Sequence, residues 1–169
     1  MMSKIRLVAV LVAVVGLLSL SGCGIYSFSG ATVGNAETVA IHFFENKAAI
    51  VVPELSQLFT EGVREKFLNE TPLAVTKTKG DWDISGYISR YETSYLAVTQ
   101  DQPAKTRLNM SVRLNFINTL DEDKSFERTF DQFVDFDASQ DLNAVQDQLI
   151  EELIDRLLTD IFNATVNNW

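Results

Sequence analysis

A thiol and an imidazole each occur once in this chain, at Cys23 and His42. Any Ser-His-Asp or Cys-His mechanism therefore has to run through His42, because a second base of that type does not exist. His42 lies in the alternating stretch Glu37 to Phe44, where a lone histidine reads as a satisfied structural residue. Cys23 closes the run Leu20-Ser21-Gly22-Cys23, in which small residues precede the sulfur. That wording resembles a bacterial lipobox, where a diacylglycerol joins the sulfur, cleavage falls between Gly22 and Cys23, and the freed amine takes an N-acyl chain. The covalent diacylglycerol and N-acyl chain would be its only attached groups, and no cofactor is expected. One histidine and one committed cysteine do not make a zinc site. The eight glycines are scattered and form no phosphate loop. Asp135-Phe136-Asp137-Ala138-Ser139-Gln140-Asp141 begins like a calcium loop, but Gln140 stands where glycine is needed and Gln146 where a bidentate glutamate belongs. No catalytic residue and no metal ligand emerges, and the chain reads as a non-enzyme.

The segment in front of Cys23 carries Lys4 and Arg6, then an apolar block from Leu7 to Leu18. Basic, apolar, then small is the order of a secretory leader, here residues 1–22. The same block could be a transmembrane helix and Cys23 a stray thiol, but about a dozen residues fall short of the ~20 that a bilayer core requires. Removing the leader leaves 147 residues and takes the formal charge from −9 to −11, since Lys4 and Arg6 leave and no acid does. Residues 23–36 then form a lipidated N-terminus and tether, and 37–169 one domain. With the cysteine acylated, packing alone must hold the fold. So acidic a chain does not suit nucleic acid, which is bound by neutralising phosphates, nor broad contact with an anionic membrane surface. Membrane attachment falls to the acyl chains.

The elements that would carry these residues follow from periodicity. Val39, Ile41 and Phe43 alternate in a first strand. Pro53 opens a helix whose apolar face is Leu55, Leu58, Phe59, Val63 and Phe67, and Pro72 ends it by Thr71. Gly62 on that helix is expected to let a sheet approach. Leu73 to Thr76 begins the next strand, which Lys79-Gly80-Asp81 interrupts. It resumes as Trp82 to Tyr91, with Trp82, Ile84, Gly86 and Ile88 on one face and Tyr87 and Tyr91 on the other. Leu108, Met110, Val112, Leu114 and Phe116 alternate with Arg107, Asn109, Ser111, Arg113 and Asn115, which predicts a strand with one wet face. The polar turn Leu120 to Lys124 leads into Ser125 to Val134, where the Phe133-Val134 pair breaks the period and suggests a bulge or the strand's end. A long helix from Ser139 or Asp141 to Val166 carries a broad apolar stripe, with Asp147, Glu151, Glu152, Asp155 and Asp160 opposite. The order β-α-β-β-β-α predicts two helices on one face of a mixed, mostly antiparallel four-stranded sheet, an α+β sandwich.

Cys23-Gly24-Ile25-Tyr26-Ser27-Phe28-Ser29-Gly30, the helix with Leu55-Ser56-Gln57-Leu58-Phe59-Thr60-Glu61, and the close from Phe133-Val134-Asp135-Phe136 to Asn168-Trp169 together resemble the LptE family of lipopolysaccharide-assembly lipoproteins. The likeness implies a small α+β sandwich seated as a plug in a large outer-membrane β-barrel, LptD. It also implies a role in assembling that barrel and delivering lipopolysaccharide. Gly24 after the anchor, in place of the aspartate of inner-membrane retention, implies the outer membrane, on its periplasmic side. The family binds lipopolysaccharide through basic residues, whereas this mature chain is acidic. A patch able to meet lipid A phosphates is Lys105, Arg107 and Arg113, on the wet face of the clearest strand; an ordinary solvated strand face has the same composition. The alternative role is a periplasmic lipoprotein holding a small apolar ligand in its sandwich.

Overall fold

Alternation and amphipathic periodicity resolve, in a computed structural model, into one sheet and two helices; the structure describes residues 33–50, 52–96 and 104–166. In chain order the elements are β1 (Thr38–Ile41), β2 (Glu45–Asn46), α1 (Leu55–Glu70), β3 (Ala74–Thr76), β4 (Trp82–Tyr95), β5 (Lys105–Asn118), β6 (Phe126–Asp137) and α2 (Leu142–Val166). The class is α+β, with both helices on one face of a mixed sheet in the order β3-β1-β4-β5-β6. That sheet has six strands, not four. β2 continues the lane of β1 along β4, both parallel to it, and β3 is a separate edge strand parallel to β1. The break between β3 and β4 is a tight crossing. A Cβ on Gly80 would stand 2.7 Å from the Ala40 nitrogen, and the Asp81 carboxylate accepts from Glu37 N–H at 2.9 Å, Thr38 N–H at 3.0 Å and Thr38 Oγ1 at 2.9 Å.

β4, β5 and β6 form a long antiparallel meander. Leu108, Met110, Val112 and Leu114 of β5 are fully buried beneath the helices. At ~25 cal/mol per Å², each such side chain contributes about 1.5–3 kcal/mol. The register of β4 slips between Ile88 and Arg90. This one-residue bulge turns Tyr91 into the core, where it is 2% exposed, instead of onto the face it would share with Tyr87. β6 pairs regularly through Phe133 and Val134 and runs on to Asp137, so neither the expected bulge nor a strand end lies there.

α1 begins at Leu55, with Pro53 in the turn before it. Leu55, Phe59, Val63 and Phe67 face the sheet, but Leu58 points outward and is 51% exposed. The helix ends at Glu70, and Thr71 donates both its N–H and its hydroxyl to the Phe67 carbonyl. Asp141 caps α2, its carboxylate accepting from Asn143 N–H at 3.0 Å. Gly62 serves a helix rather than the sheet: its Cβ position lies 2.9 Å from Leu158 Cδ1 of α2. Edge-to-face ring pairs add to the packing, Phe44 with Phe59 of α1 at 5.1 Å and, between the two helices, Phe67 with Phe162 at 5.4 Å.

Candidate functional site

Because the helices cover one face of the meander, every second residue of β4, β5 and β6 stands on the other. β5 contributes arginines there and β6 contributes acids at every fourth residue: Glu127, Asp131 and Asp135. Arg107 faces Asp135 directly and binds it with two parallel bonds, Nε to Oδ1 at 2.7 Å and Nη2 to Oδ2 at 2.9 Å. Its guanidinium carbon also lies 3.6 Å from the centroid of the Phe133 ring. Phe133, the residue that breaks the apolar period of β6, is thus the platform under Arg107. Arg113 reaches diagonally to Glu127, Nε to Oε1 at 2.6 Å. Between them a row crosses all three strands. Arg90 donates Nε to Ser111 Oγ at 2.9 Å and Nη2 to Asp131 Oδ1 at 2.7 Å.

The charges respond accordingly. The bond from Arg107 holds the Asp135 carboxyl below its usual range, and that from Arg113 does the same to Glu127. Both guanidiniums are raised in turn by their carboxylate partners. The face is therefore a ladder of self-neutralised pairs, with little net field. Lys105 stands at the head of β5, exposed, and makes no ion pair among the described residues. The hydrogen bonds from Ser139 hold the Asp137 carboxyl below its usual range, and the charge of Lys105 adds to this at Asp137 and Asp135. The structure puts Lys105, Arg107 and Arg113 on one face as the alternation predicts, though Arg107 and Arg113, six residues apart on a strand, are separated by about 20 Å. Cys23 and the Gly22–Cys23 cleavage position lie outside the described residues.

Sequence reading missed Arg90, Asp131, Asp135 and Glu127 as members of this face. The signal was available: the acids of β6 recur at every second or fourth position, and the polar turn at 120–124 sets them opposite the arginines of β5. His42 lies beside the ladder, its Nε2 2.8 Å from Asp83 Oδ2, half-buried and hydrogen-bonded as a structural histidine should be. Among the described residues no cluster of His, Cys, Asp and Glu is placed to hold a metal, and no helix is long and apolar enough to cross a membrane. At the end of the sandwich a pocket of about 250 Å³ is lined by Val33, Ala36, Trp82, Phe116, Asn118 and Val166 among others. Trp82 there buries an indole N–H with no partner among the described residues.

A lipopolysaccharide-assembly family, LptE, matches the chain over residues 36–165. Among proteins with curated descriptions none matches in sequence. Solved structures share the fold at low identity. A protein of Xanthomonas campestris is 10% identical with a TM-score of 0.55, covering 78% of this chain and 84% of its own. A homologue of the neuraminyllactose-binding haemagglutinin from Helicobacter pylori is 13% identical with a TM-score of 0.52, covering 76% and 82%. A minor lipoprotein of Acinetobacter baumannii is 10% identical with a TM-score of 0.46, covering 76% and 94%.

Proposed function

The chain belongs to the LptE family of lipopolysaccharide-assembly proteins, and from that premise we propose that it is a lipid-anchored partner and plug of an LptD-type outer-membrane β-barrel. The observation that carries the reading is the sheet face. A barrel lumen is polar and wet, and a wall of such a lumen is best met by a surface that is polar yet internally neutral. The Arg107–Asp135, Arg113–Glu127 and Arg90–Asp131 pairs form such a surface. In this reading Cys23 carries the acyl groups and holds the domain at the periplasmic side of the outer membrane. Two or more acyl chains are what stable anchoring requires.

Direct contact with lipopolysaccharide through Lys105, Arg107 and Arg113 is part of the same proposal, and its chemistry is exchange. A lipid A phosphate has to displace Asp135 from Arg107, or Glu127 from Arg113, whereas Lys105 is available as it stands. The test of the plug reading is a photocrosslinker placed at Asn109 and at Asn115 on the open face, followed by detergent extraction of outer membranes. A crosslinked species of barrel size is expected at both positions. Recovery of the uncrosslinked monomer alone would overturn the reading. Cys23→Ser tests the anchor: the variant should leave the membrane fraction, and unchanged fractionation would remove the tether.

A second reading is favoured by the pocket at Trp82. A buried N–H without a partner among the described residues, on a residue that lines this mixed polar and apolar pocket, suits a small ligand carrying one acceptor, although the volume lies below that of common ligand sites. Native mass spectrometry of the folded chain decides it. A retained small molecule lost in Trp82→Phe supports this role, and a bare mass dismisses it.

A further inference from the structure

On the sheet face Glu127, Asp131 and Asp135 each have an arginine partner; five carboxylates between the helices have none among the described residues. α1 and α2 flank an open groove of about 730 Å³, with Ile154 and Leu158 buried along its floor and Leu58 at its mouth. Its rim is Glu54 just before α1, Glu65 on α1, and Asp147, Glu151 and Asp155 from α2, and no basic side chain lines it. None of these five makes an ion pair among the described residues. The helices do pair their acids elsewhere: Glu61 with Arg64, Glu70 with Lys66 and Glu152 with Arg156. The rim thus gathers five acids without a cation beside helices that pair three others. Asp147, Glu151 and Asp155 also follow one another at i, i+4 and i+8, where like charges repel. Leu58 completes the pattern, a large apolar side chain half exposed at the mouth.

We propose that this groove docks a basic amphipathic segment of a protein partner, its apolar side on Leu58, Ile154 and Leu158 and its Lys or Arg side chains on the acidic rim. The complement has to come from another molecule. In the mature chain the segments outside the described residues, 24–32, 51, 97–103 and 167–169, contain no Lys or Arg. A second copy brings the same five acids and is repelled. The arrangement is a helix-in-groove site with matched charge. It goes beyond the barrel reading and needs neither the anchor nor the open sheet face.

The test uses the mature chain with Cys23→Ser, titrated with a fluorescent helical peptide of Leu and Lys arranged on opposite faces. The comparison peptide has the same composition, scrambled so that no apolar face forms. The amphipathic peptide is expected to bind at least about tenfold more tightly than the scrambled one. Glu151→Lys with Asp155→Lys should raise its Kd about tenfold or more. Glu122→Lys with Asp123→Lys, the same charge change on a remote loop, should alter it less than about twofold. Leu58→Asn, at an exposed position that leaves the core intact, should weaken binding by about fivefold. Equal losses in the two charge variants would reduce the effect to bulk charge and overturn the proposal. So would an unaffected Leu58→Asn, a scrambled peptide that binds as well, or a concentration-dependent dimer that occupies the groove. Crosslinking at Asn109 and Asn115 reports on the barrel reading separately, so either can fail alone.

Discussion

Replacing Gly86 by alanine adds one methyl at the point where β4, β5 and the Phe44 ring converge. The new Cβ would collide with the Arg113 carbonyl oxygen and stand 2.8 Å from Phe44 Cε1. Neither neighbour can give way easily. The carbonyl belongs to the backbone of the central strand, and Phe44 is fully buried against Phe59. Overpacking of this kind costs about 1–3 kcal/mol, and a backbone obstacle places it at the upper end. Replacing a strand glycine returns about 0.5–1 kcal/mol of backbone entropy, which leaves a net loss of about 2 kcal/mol. Alanine at Gly62 adds the same methyl with a different balance. Its Cβ lies 2.9 Å from Leu158 Cδ1 and 3.4 Å from Ile154 Cγ2, and Leu158 borders the open groove, so its tip can swing away. A distorted rotamer costs about 0.5–1.5 kcal/mol, against about 1 kcal/mol gained by removing glycine from a helix. The expected change is close to zero.

Urea unfolding followed by far-ultraviolet circular dichroism measures both variants on one scale. Gly86→Ala should fall about 2 kcal/mol below the parent, which in a chain of this size lowers Tm by roughly 4–8 °C. Gly62→Ala should stay within about 0.5 kcal/mol. The Gly86 variant should also lose order at the Arg113–Glu127 pair, because the obstructed carbonyl belongs to Arg113 itself. A Gly86→Ala chain as stable as its parent would refute the close approach of β4 and β5. Equal losses at both glycines would refute the argument that the groove gives Leu158 room to move.

Asp81→Asn weakens the three bonds that tie the β3–β4 crossing to β1. Those bonds hold the Asp81 carboxyl below its ordinary 3.8, so its contribution is complete above that pH and fades as pH falls through the depressed value. The variant should flatten the acid limb of a urea midpoint measured from pH 6 to pH 2, and an unchanged limb would exclude Asp81 as a source. Tyr91→Phe removes a buried hydroxyl that has no partner among the described residues and is expected to be neutral or stabilising by up to about 1 kcal/mol. In the parent, burial chiefly and the charge of Asp147 raise the Tyr91 phenol to about 12. Stability should therefore fall as pH rises from the ordinary tyrosine value of 10 toward 12, and Tyr91→Phe should remove that fall. Asp135→Asn frees Arg107 from its carboxylate. A lipopolysaccharide pull-down should strengthen if Arg107 meets phosphate, while Arg107→Glu with Arg113→Glu should abolish it; no change in either would take the patch out of consideration.

How much of this was legible depended on the range of the interaction. The β5 alternation from Leu108 to Phe116 and the α2 stripe from Leu149 to Phe162 are local patterns with one dominant partner surface, and both translate directly into structure. Leu58 has helical spacing equal to that of its neighbours, so only the position of α2 decides that it looks outward. Tyr91 changes face because one extra residue enters β4, a shift written in strand pairing and not in period. Lys79-Gly80-Asp81 reads as an interruption within one strand because the crossing is held by Ala40, Glu37 and Thr38, some forty residues away. The arginines of β5 were visible, but their neutralisation was not, since Asp135 and Glu127 reach them only through the register of the hairpin.

The two surfaces of the molecule handle the same kind of residue in opposite ways, and the contrast argues for function. On the sheet face three arginines meet three carboxylates, and desolvation of each is offset by its partner. Exposed pairs of this sort add little stability, typically below about 1 kcal/mol, so their effect is to make a polar surface neutral. Along α2 the spacing of Asp147, Glu151 and Asp155 costs about 0.2–0.5 kcal/mol for each repelling pair. One lysine at position 151 would convert both repulsions into attractions. A sequence under pressure for stability alone has that remedy one residue away, and stability optima of this kind are commonly passed over where a surface has another use. The neutral face suits an environment that surrounds the domain without demanding charge. The acidic groove suits a specific visitor that brings it, so two partners of different chemistry can hold the domain at once without competing for one surface.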